Sequence, residues 1–473
     1  MSIIGLKKAN CKNCYKCVKV CPVKSIKVEN AQAKIIDNAC ILCGKCLSEC
    51  PQNAKTLSSS LETVKGYLNA GEKVVLSLAP SYPGSFDYRT PEQLVTALKK
   101  LGFYAVSETS EGAAYVTAEY DRLIRENTMK NIVTTCCPTV NRLVEYYYPE
   151  LVDSLAPVVS PMLAHARLLK QNLGKNIRVV FAGPCISKKD EARDVRHPND
   201  VDAVLTFDAL AQWLEEKKIS VPECEESSFL NASSKIVRMY PVTNGILATL
   251  RARGTAEENY HMLSVDGVEE CKELFEAMKR GELDHCFIEV NACKGSCVNG
   301  PVVAKDHKDR FTSAIRVEKY AQSDADSYPV LSENLPLSKK FTEPAPHEAI
   351  PDESMIRMIL SKIGKESPEQ ELNCGACGYA SCRDKAIAVY QNRAELTMCM
   401  PYMRERAESL SNYVLSETPN ITIIVDSDLN IIEFNTAAEL CFKVSRREAL
   451  EKGLYELIDV SDFQTVFETK QSI

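Results

Sequence analysis

Residues 11–22 read CKNCYKCVKVCP, and residues 40–51 read CILCGKCLSECP. Each stretch has the form C-x2-C-x2-C-x3-C-P. The first supplies Cys11, Cys14, Cys17 and Cys21, the second Cys40, Cys43, Cys46 and Cys50, with Pro22 and Pro51 behind them. The two are an internal repeat offset by 29 residues. Thiols at such close, repeated intervals read as metal ligands. A disulfide framework and a zinc module are the competing readings. A reducing compartment disfavours the first, and zinc modules rarely repeat this spacing. The chain holds 21 cysteines in 473 residues, and most fall at ligand spacing, so metallocofactors are the economical explanation.

The repeat resembles the two-cluster bacterial ferredoxins, in which the fourth cysteine of each run ligates the other run's cluster. The resemblance implies one [4Fe-4S] cluster on Cys11, Cys14, Cys17 and Cys50. It implies a second on Cys40, Cys43, Cys46 and Cys21, in a module spanning residues 1–57. Two clusters make an electron wire, and a wire needs a redox centre to serve.

Hydrophobic content of 45% and charged content of 26% are those of ordinary globular proteins, and the length suffices for several domains. A net charge of −7 offers nothing to attract nucleic acid or an anionic membrane. The opening MSIIGLKKANCKNC lacks the apolar core of a signal peptide. No stretch approaches the roughly 18 apolar residues of a membrane span. A cytoplasmic protein without nucleic-acid or membrane partners is expected, and oxygen-sensitive clusters point to an anaerobe.

The fold class expected is α+β / α/β multidomain. After a connecting helix over Leu61–Gly71, apolar runs at 73–78, 131–135, 177–182 and 202–206 read as buried parallel strands. Helices are expected at Pro91–Leu101, with Thr90 as N-cap, Pro91 at the first position and Gly102 as terminator. Others fall at Ser160–Leu173 and Phe207–Glu216. Strands alternating with helices argue for open parallel sheets, which bind ligands beyond the carboxyl ends of their strands.

Three further segments carry chemistry: TTCCP at 134–138, GPCISKKDE at 183–191 and EVNACKGSCVNG at 289–300. Cys137, Cys185, Cys293 and Cys297 are four thiols, enough for another [4Fe-4S] cluster. Cys136 stands beside a ligand and is expected to point away from it. Lys188 is a cation near a ligand, and Gly295 and Gly300 permit close backbone approach.

The three segments, in this order, resemble the signature motifs of [FeFe] hydrogenases. The resemblance implies an H-cluster, a [4Fe-4S] cubane joined through a cysteine sulfur to a diiron site with CO, cyanide and azadithiolate. Carried over by motif position, Cys137, Cys185, Cys293 and Cys297 hold the cubane, and Cys297 bridges to the diiron site. Lys188 binds a cyanide, Ala79 and Pro80 line the same pocket, and Cys136 passes protons. A dry anionic cofactor needs a charge-assisted donor, and proton exchange needs a titratable relay, so the residue types agree with these roles. The alternatives are an inert Cys136, a surface Lys188 and a cubane without diiron, as in the eukaryotic iron–sulfur assembly relatives.

Several positions depart from the family pattern. Val140 replaces a Trp, Gly183 a Met and Asn291 a Met, and Gly183 is expected to leave room for water. The family's outward relay runs from the cysteine through Glu, Ser and Glu. Glu119, 17 residues before Cys136, aligns with the first Glu. The Ser falls on Ala156 and the outer Glu on Val116, neither of which carries a transferable proton. Slow turnover is expected.

Tyr328–Glu353 is Pro- and charge-rich and reads as a linker. Cys374, Cys377, Cys382 and Cys399 follow at C-x2-C-x4-C-x16-C, read as a third accessory [4Fe-4S] cluster, with zinc as the alternative. A polar helix is expected over Met403–Leu415. The segment from Ile421 resembles the start of a PAS domain, with Cys441 in its core. Cys224, Cys271 and Cys286 read as packing residues.

The expected domains are 1–57, 58–340, 352–402 and 403–473. This layout resembles the sensory [FeFe] hydrogenases. It implies slow reversible conversion of H2 to protons and electrons, a ferredoxin-like electron partner, a downstream signalling protein and dimerisation through the PAS region. A metabolic hydrogenase and an electron-transfer protein without diiron are the rivals.

Overall fold

The apolar runs assemble as two parallel sheets, and a small cysteine-rich module packs against them. The chain was analysed as a computed structural model. The structure describes residues 2–231, 235–256, 258–303, 309–322, 328, 331, 335–342 and 350–460. It divides into two units, Met1–Ile350 and Pro351–Ile473. The first merges the two domains expected at 1–57 and 58–340. The boundary lies in the expected linker, of which 329–330, 332–334 and 343–349 are outside the described residues.

The cysteine-rich module has four short strands: β1 (Ile4–Leu6), β2 (Ile26–Glu29), β3 (Gln32–Ile35) and β4 (Lys55–Leu57). β1 pairs with β4 and β2 with β3, both antiparallel. Asn30 and Ala31, at φ of 50° and 58°, make the tight turn between β2 and β3, the positive-φ pair that a two-residue hairpin requires.

Beyond it run β5 (Val74–Leu78), β6 (Ala105–Glu108), β7 (Asn131–Val133), β8 (Arg178–Gly183), β9 (Ala203–Thr206), β10 (His261–Asp266) and β11 (Cys286–Asn291). One parallel sheet has the order β6-β5-β8-β9 and the other β10-β11-β7. β5 and β11 are buried along their whole length, as the near-continuous apolar run of β5 implies. The helices Ser110–Glu126 and Pro161–Leu173 pack so closely that a Cβ on Gly112 would lie 2.3 Å from the Pro161 carbonyl oxygen.

Element positions follow the sequence reading with small physical corrections. The strand expected at 131–135 ends at Val133. Thr134 Oγ1 accepts from the Val290 amide, while Thr135 Oγ1 donates to the carbonyls of Ala156 and Val158, so both hydroxyls fasten a turn instead. The helix Pro91–Lys100 starts as expected, with a Thr90–Gln93 capping box. The polar helix is longer than expected, Met400–Glu417, because Pro401 sits in its first turn, where its missing N–H costs nothing.

In the second unit, the helices Glu353–Ser361 and Cys382–Tyr390 pack together around Ile356, Leu360 and Ala386. The segment expected to begin a PAS domain forms β12 (Ile423–Val425) and β13 (Ile431–Phe434), antiparallel, followed by the helix Thr436–Phe442. Asp426 closes the turn by accepting from the amides of Asp428 and Asn430. Phe434, Ala438 and Leu454 fill its core. Cys441, expected in that core, is exposed, because the helix turns Ala438 and Phe442 inward instead. Residues 461–473 of the expected PAS segment lie outside the described residues. Cys224, Cys271 and Cys286 are buried as expected. Among the described residues, no helix is long and apolar enough to cross a membrane.

The cysteine-rich module is held against the sheets at Gly44. Its φ is +78°, and a Cβ there would lie 2.5 Å from Pro301 Cβ and 2.8 Å from Ile186 Cδ1. Gly44→Ala should meet an overpacking cost of about 1–3 kcal/mol besides the ~1–2 kcal/mol of left-handed backbone. Gly71→Ala, at φ +73° with nothing within 4 Å, should meet the second cost alone. Denaturant unfolding of anaerobic protein should place Gly44→Ala well below Gly71→Ala. Equal midpoints would mean that the module does not bear on the loops around Ile186 and Pro301.

Candidate functional site

The loops at the carboxyl ends of β5, β7, β8 and β11 converge on one cavity of about 100 Å³. Cys137, Cys185, Cys293 and Cys297 all line it, as do Cys136, Lys188, Ala79 and Pro80. The structure thus brings together every residue expected at the central site except Glu119. The loops are tied by close backbone approach. A Cβ on Gly300 would lie 2.3 Å from the Pro184 carbonyl oxygen, so the second and third motifs touch there. Gly295, at φ +79°, approaches the stem of Arg310 instead.

Burial sets the state of the thiols. It pushes Cys137, Cys293 and Cys297 upward, reinforced by the neighbouring thiols of the set. Four thiols around one cavity are a ready donor set for a metal cluster, which takes up thiolate and releases protons on binding. Among the described residues, no three Cys, His, Asp or Glu side chains converge as they would on a single ion.

Cys136 was expected to face away from the ligands. It lines the same cavity as Cys137, and its sulfur lies 3.2 Å from the Tyr120 hydroxyl. Burial pushes its pKa up to about 12, against the hydrogen bond from Tyr120 and the charge of Lys188. Tyr120 also accepts from the Thr135 amide at 3.0 Å. Glu119, expected beside Cys136, is instead paired with Arg122 at 2.5 Å. The helix Ser110–Glu126 presents Tyr120, one residue on, to the cavity side. Val116 and Ala156 are fully buried and apolar.

Lys188 Nζ donates to Glu191 Oε2 at 2.7 Å and to the Cys136 carbonyl at 3.2 Å. An ammonium has three donors, and these two leave capacity for a ligand in the cavity. Burial opposes its charge, but Glu191 and the thiols hold its pKa above the ordinary value. Ser81 was not anticipated. It lines the cavity, and its buried Oγ has no hydrogen-bond partner, so a ligand would satisfy it. A lone serine beside Ala79-Pro80 gives no sequence signal. The room expected at Gly183 is taken by the Phe181 ring, 2.6 Å from where a Cβ would stand. Asn291 Oδ1 lies 3.9 Å from Cys297 Sγ.

Twelve of the other cysteines gather in three groups. Cys11, Cys14, Cys17 and Cys50 ring a cavity of about 20 Å³. Cys21 is among the neighbours that raise the buried Cys40, Cys43 and Cys46 thiols, after burial itself. The exchange of fourth cysteines between runs is therefore present in the geometry. Cys43 also lies on the wall of the central cavity. Cys374, Cys377, Cys382 and Cys399 ring a cavity of about 10 Å³ in the second unit. Lys385 lies beside them, with its pKa lowered by burial despite the thiols.

Residues 72–301 match the family model of the iron only hydrogenase large subunit, C-terminal domain. Residues 3–51 match a 4Fe-4S dicluster domain and 370–401 an Fe-S cluster family. The chain therefore carries a hydrogenase-like domain together with iron–sulfur clusters. It is 29% identical to Iron hydrogenase 1 of Clostridium pasteurianum over 58% of this chain and 65% of that protein. It thus spans just under two thirds of that relative's length. It is 24% identical to Nuclear prelamin A recognition factor of Danio rerio, over 63% of this chain and 82% of that one. Cytosolic iron-sulfur assembly component 3 of Pongo abelii is 21% identical over 57% of this chain and 71% of its own.

The exchanged ligand sets are testable. Cys21→Ser and Cys43→Ser should remove the same cluster signal in electron paramagnetic resonance of the reduced protein. Cys50→Ser should instead match Cys11→Ser. If Cys21→Ser matched Cys11→Ser, each run would hold its own cluster.

Proposed function

We propose that the chain is an iron–sulfur oxidoreductase that reacts slowly and reversibly with H2 at an H-cluster in the central cavity. One observation carries this reading. The cavities ringed by four thiols elsewhere hold about 20 and 10 Å³, whereas the central one holds about 100 Å³. The central cavity thus has more room than the sites where four thiols stand alone, and Lys188 and the unpartnered Ser81 hydroxyl suit an anionic second group. Cys137, Cys185, Cys293 and Cys297 would hold the cubane, with Cys297 shared with the diiron site. When bound, that site would supply the two-electron chemistry of H2. The protein's part is to exclude water, orient the cofactor through Lys188 and Ser81, and hold a proton on Cys136 Sγ. Clusters on the two N-terminal ladders would carry electrons to a ferredoxin-like partner, through the Cys43 side.

The sensory role rests on the second unit alone: a third cluster on Cys374, Cys377, Cys382 and Cys399, then a PAS-like segment. A signalling partner and dimerisation through that segment belong to the same proposal. A second reading, an iron–sulfur protein without diiron, is favoured by the comparisons. The recognition-factor and assembly relatives are matched over 82% and 71% of their lengths, more than the 65% of the hydrogenase.

Infrared spectroscopy after maturation with a diiron precursor separates the two. Bands of metal-bound CO and cyanide are expected, and their absence would establish the second reading. Cys136→Ala should keep those bands and lower viologen-coupled H2 evolution at least tenfold. An unchanged rate would remove Cys136 from the proton path.

A further inference from the structure

A cavity that exchanges protons needs a way out, and the two outer positions of the expected relay are Val116 and Ala156. A different chain of polar groups leaves the cavity on the β5–β6 side. Thr109 lines the cavity. Its Oγ1 lies 2.8 Å from Ser77 Oγ, and Ser77 Oγ lies 2.7 Å from His165 Nδ1. On the far side of the ring, His165 Nε2 lies 3.1 Å from Glu111 Oε2 and 3.1 Å from Ser107 Oγ. Ser107 donates to the same carboxylate oxygen at 3.1 Å, and Asn231 donates to it at 2.8 Å. Thr109, Ser77 and His165 are buried, whereas the Glu111 side chain is 18% exposed. The close approach of the helices Ser110–Glu126 and Pro161–Leu173 at Gly112 fixes His165 beside Glu111.

We infer that Thr109, Ser77, His165 and Glu111 form a proton route between the central cavity and solvent. The inference rests on the reading of that cavity as a proton-exchanging centre. Every link donates on one side and accepts on the other: two hydroxyls, an imidazole with two nitrogens, and a carboxylate. For outward transfer, His165 gives its Nε2 proton to the Glu111 carboxylate, which releases it to water, while Nδ1 takes the hydroxyl proton of Ser77. Ser77 takes the proton of Thr109, and Thr109 takes one from a donor in the cavity. One proton enters, one leaves, and no electron moves; inward transfer runs the same steps in reverse. Reorientation of the hydroxyls and proton exchange at the ring restore the starting arrangement. Glu111 is suited to the solvent end. Burial disfavours its charge, but the His165, Asn231 and Ser107 donors outweigh that and keep its pKa below the ordinary value.

Ser77→Ala removes one link with little change in volume. In the matured protein, a pH jump followed by time-resolved infrared, at fixed potential and without turnover, reads proton arrival directly. The spectral relaxation should slow at least tenfold in Ser77→Ala, with the initial and final bands unchanged. Unaltered relaxation with normal bands would overturn the route and leave the hydrogenase reading standing. Missing bands in the wild-type protein would instead overturn that reading. A second measurement needs no central cofactor. In 15N-histidine-labelled protein, with the signal assigned by His165→Gln, exchange of the His165 ring proton with water should slow at least tenfold in Glu111→Gln. Unchanged exchange would overturn Glu111 as the port.

Discussion

Gathering four thiols around one apolar cavity is the constraint on which the rest of the structure depends. A thiolate in a low-dielectric pocket is costly unless a metal shares its charge. Without metal, the buried thiols of the central set are held protonated, with raised pKa values. The loops that carry them cannot be organised by the thiols alone and must be fixed by the backbone around them. Three such loops leave the carboxyl ends of β7, β8 and β11. Thr134 and Thr135 fasten one, and the contact of Gly300 with the Pro184 carbonyl fastens two more to each other. Preorganisation of this kind lowers the ordering cost of loading a cluster, and loading then adds to folding stability.

The same constraint explains where the N-terminal module sits. The loop carrying Cys43 and Gly44 closes the central cavity, with Gly44 against Pro301 and Ile186. Tyr147 anchors the module by donating to the Ala39 carbonyl at 2.7 Å, and Arg142, paired with Asp190, reaches the Asp37 carbonyl at 3.4 Å. The near end of the proposed wire is therefore the second ladder, together with Cys21. The first ladder, with Cys50, is the far end. A side chain at position 44 would push this loop off Pro301 and Ile186 and so lengthen the proposed wire.

Much of this was legible in the sequence, for reasons that can be stated. The ladders are local, so spacing alone defines them. The exchange of Cys21 and Cys50 between runs follows once the two-cluster arrangement is assumed. β5, β8 and β9 are short, continuous apolar runs bounded by polar residues, and they were legible within a residue or two. Contacts between distant segments were not. Cys136 turns toward the cavity because Tyr120, from a helix 16 residues earlier, meets its sulfur. Counting back along the chain selected Glu119, but a helix face, not an alignment offset, decides which neighbour points inward. The gap left at Gly183 is closed by Phe181 on the same strand. Two residues apart on a strand share a face, so that substitution pair is intelligible only once the strand is known. His165 carried no signal at all, because its meaning lies in Ser77, Ser107 and Glu111, each on a different element or turn.

The charge around Lys188 shows how the cavity stays receptive to an anion. A buried Lys–Glu pair taken alone is neutral and would leave little field for a ligand. Here Glu191 is shared: Lys188 holds one carboxylate oxygen at 2.7 Å, and Lys339 lies 3.5 Å from the other. Lys339 and Glu191 are nearly inaccessible, and Ser160 adds a hydrogen bond to the carboxylate at 2.9 Å. Burial works against the Glu191 charge, but the two lysines hold its pKa below the ordinary carboxylate range. Two cations against one anion leave a net positive charge beside the Cys136–Cys137 turn. Removing one partner of a buried ion pair typically costs about 3–5 kcal/mol, so such a surplus persists only where something offsets it. The thiols of Cys185 and Cys136 already raise the Lys188 pKa, and an anionic group bound beside them would complete the compensation. The lysine that the motif supplies is thus kept charged by Glu191, and kept from being neutralised by Lys339, a residue 151 positions further along the chain.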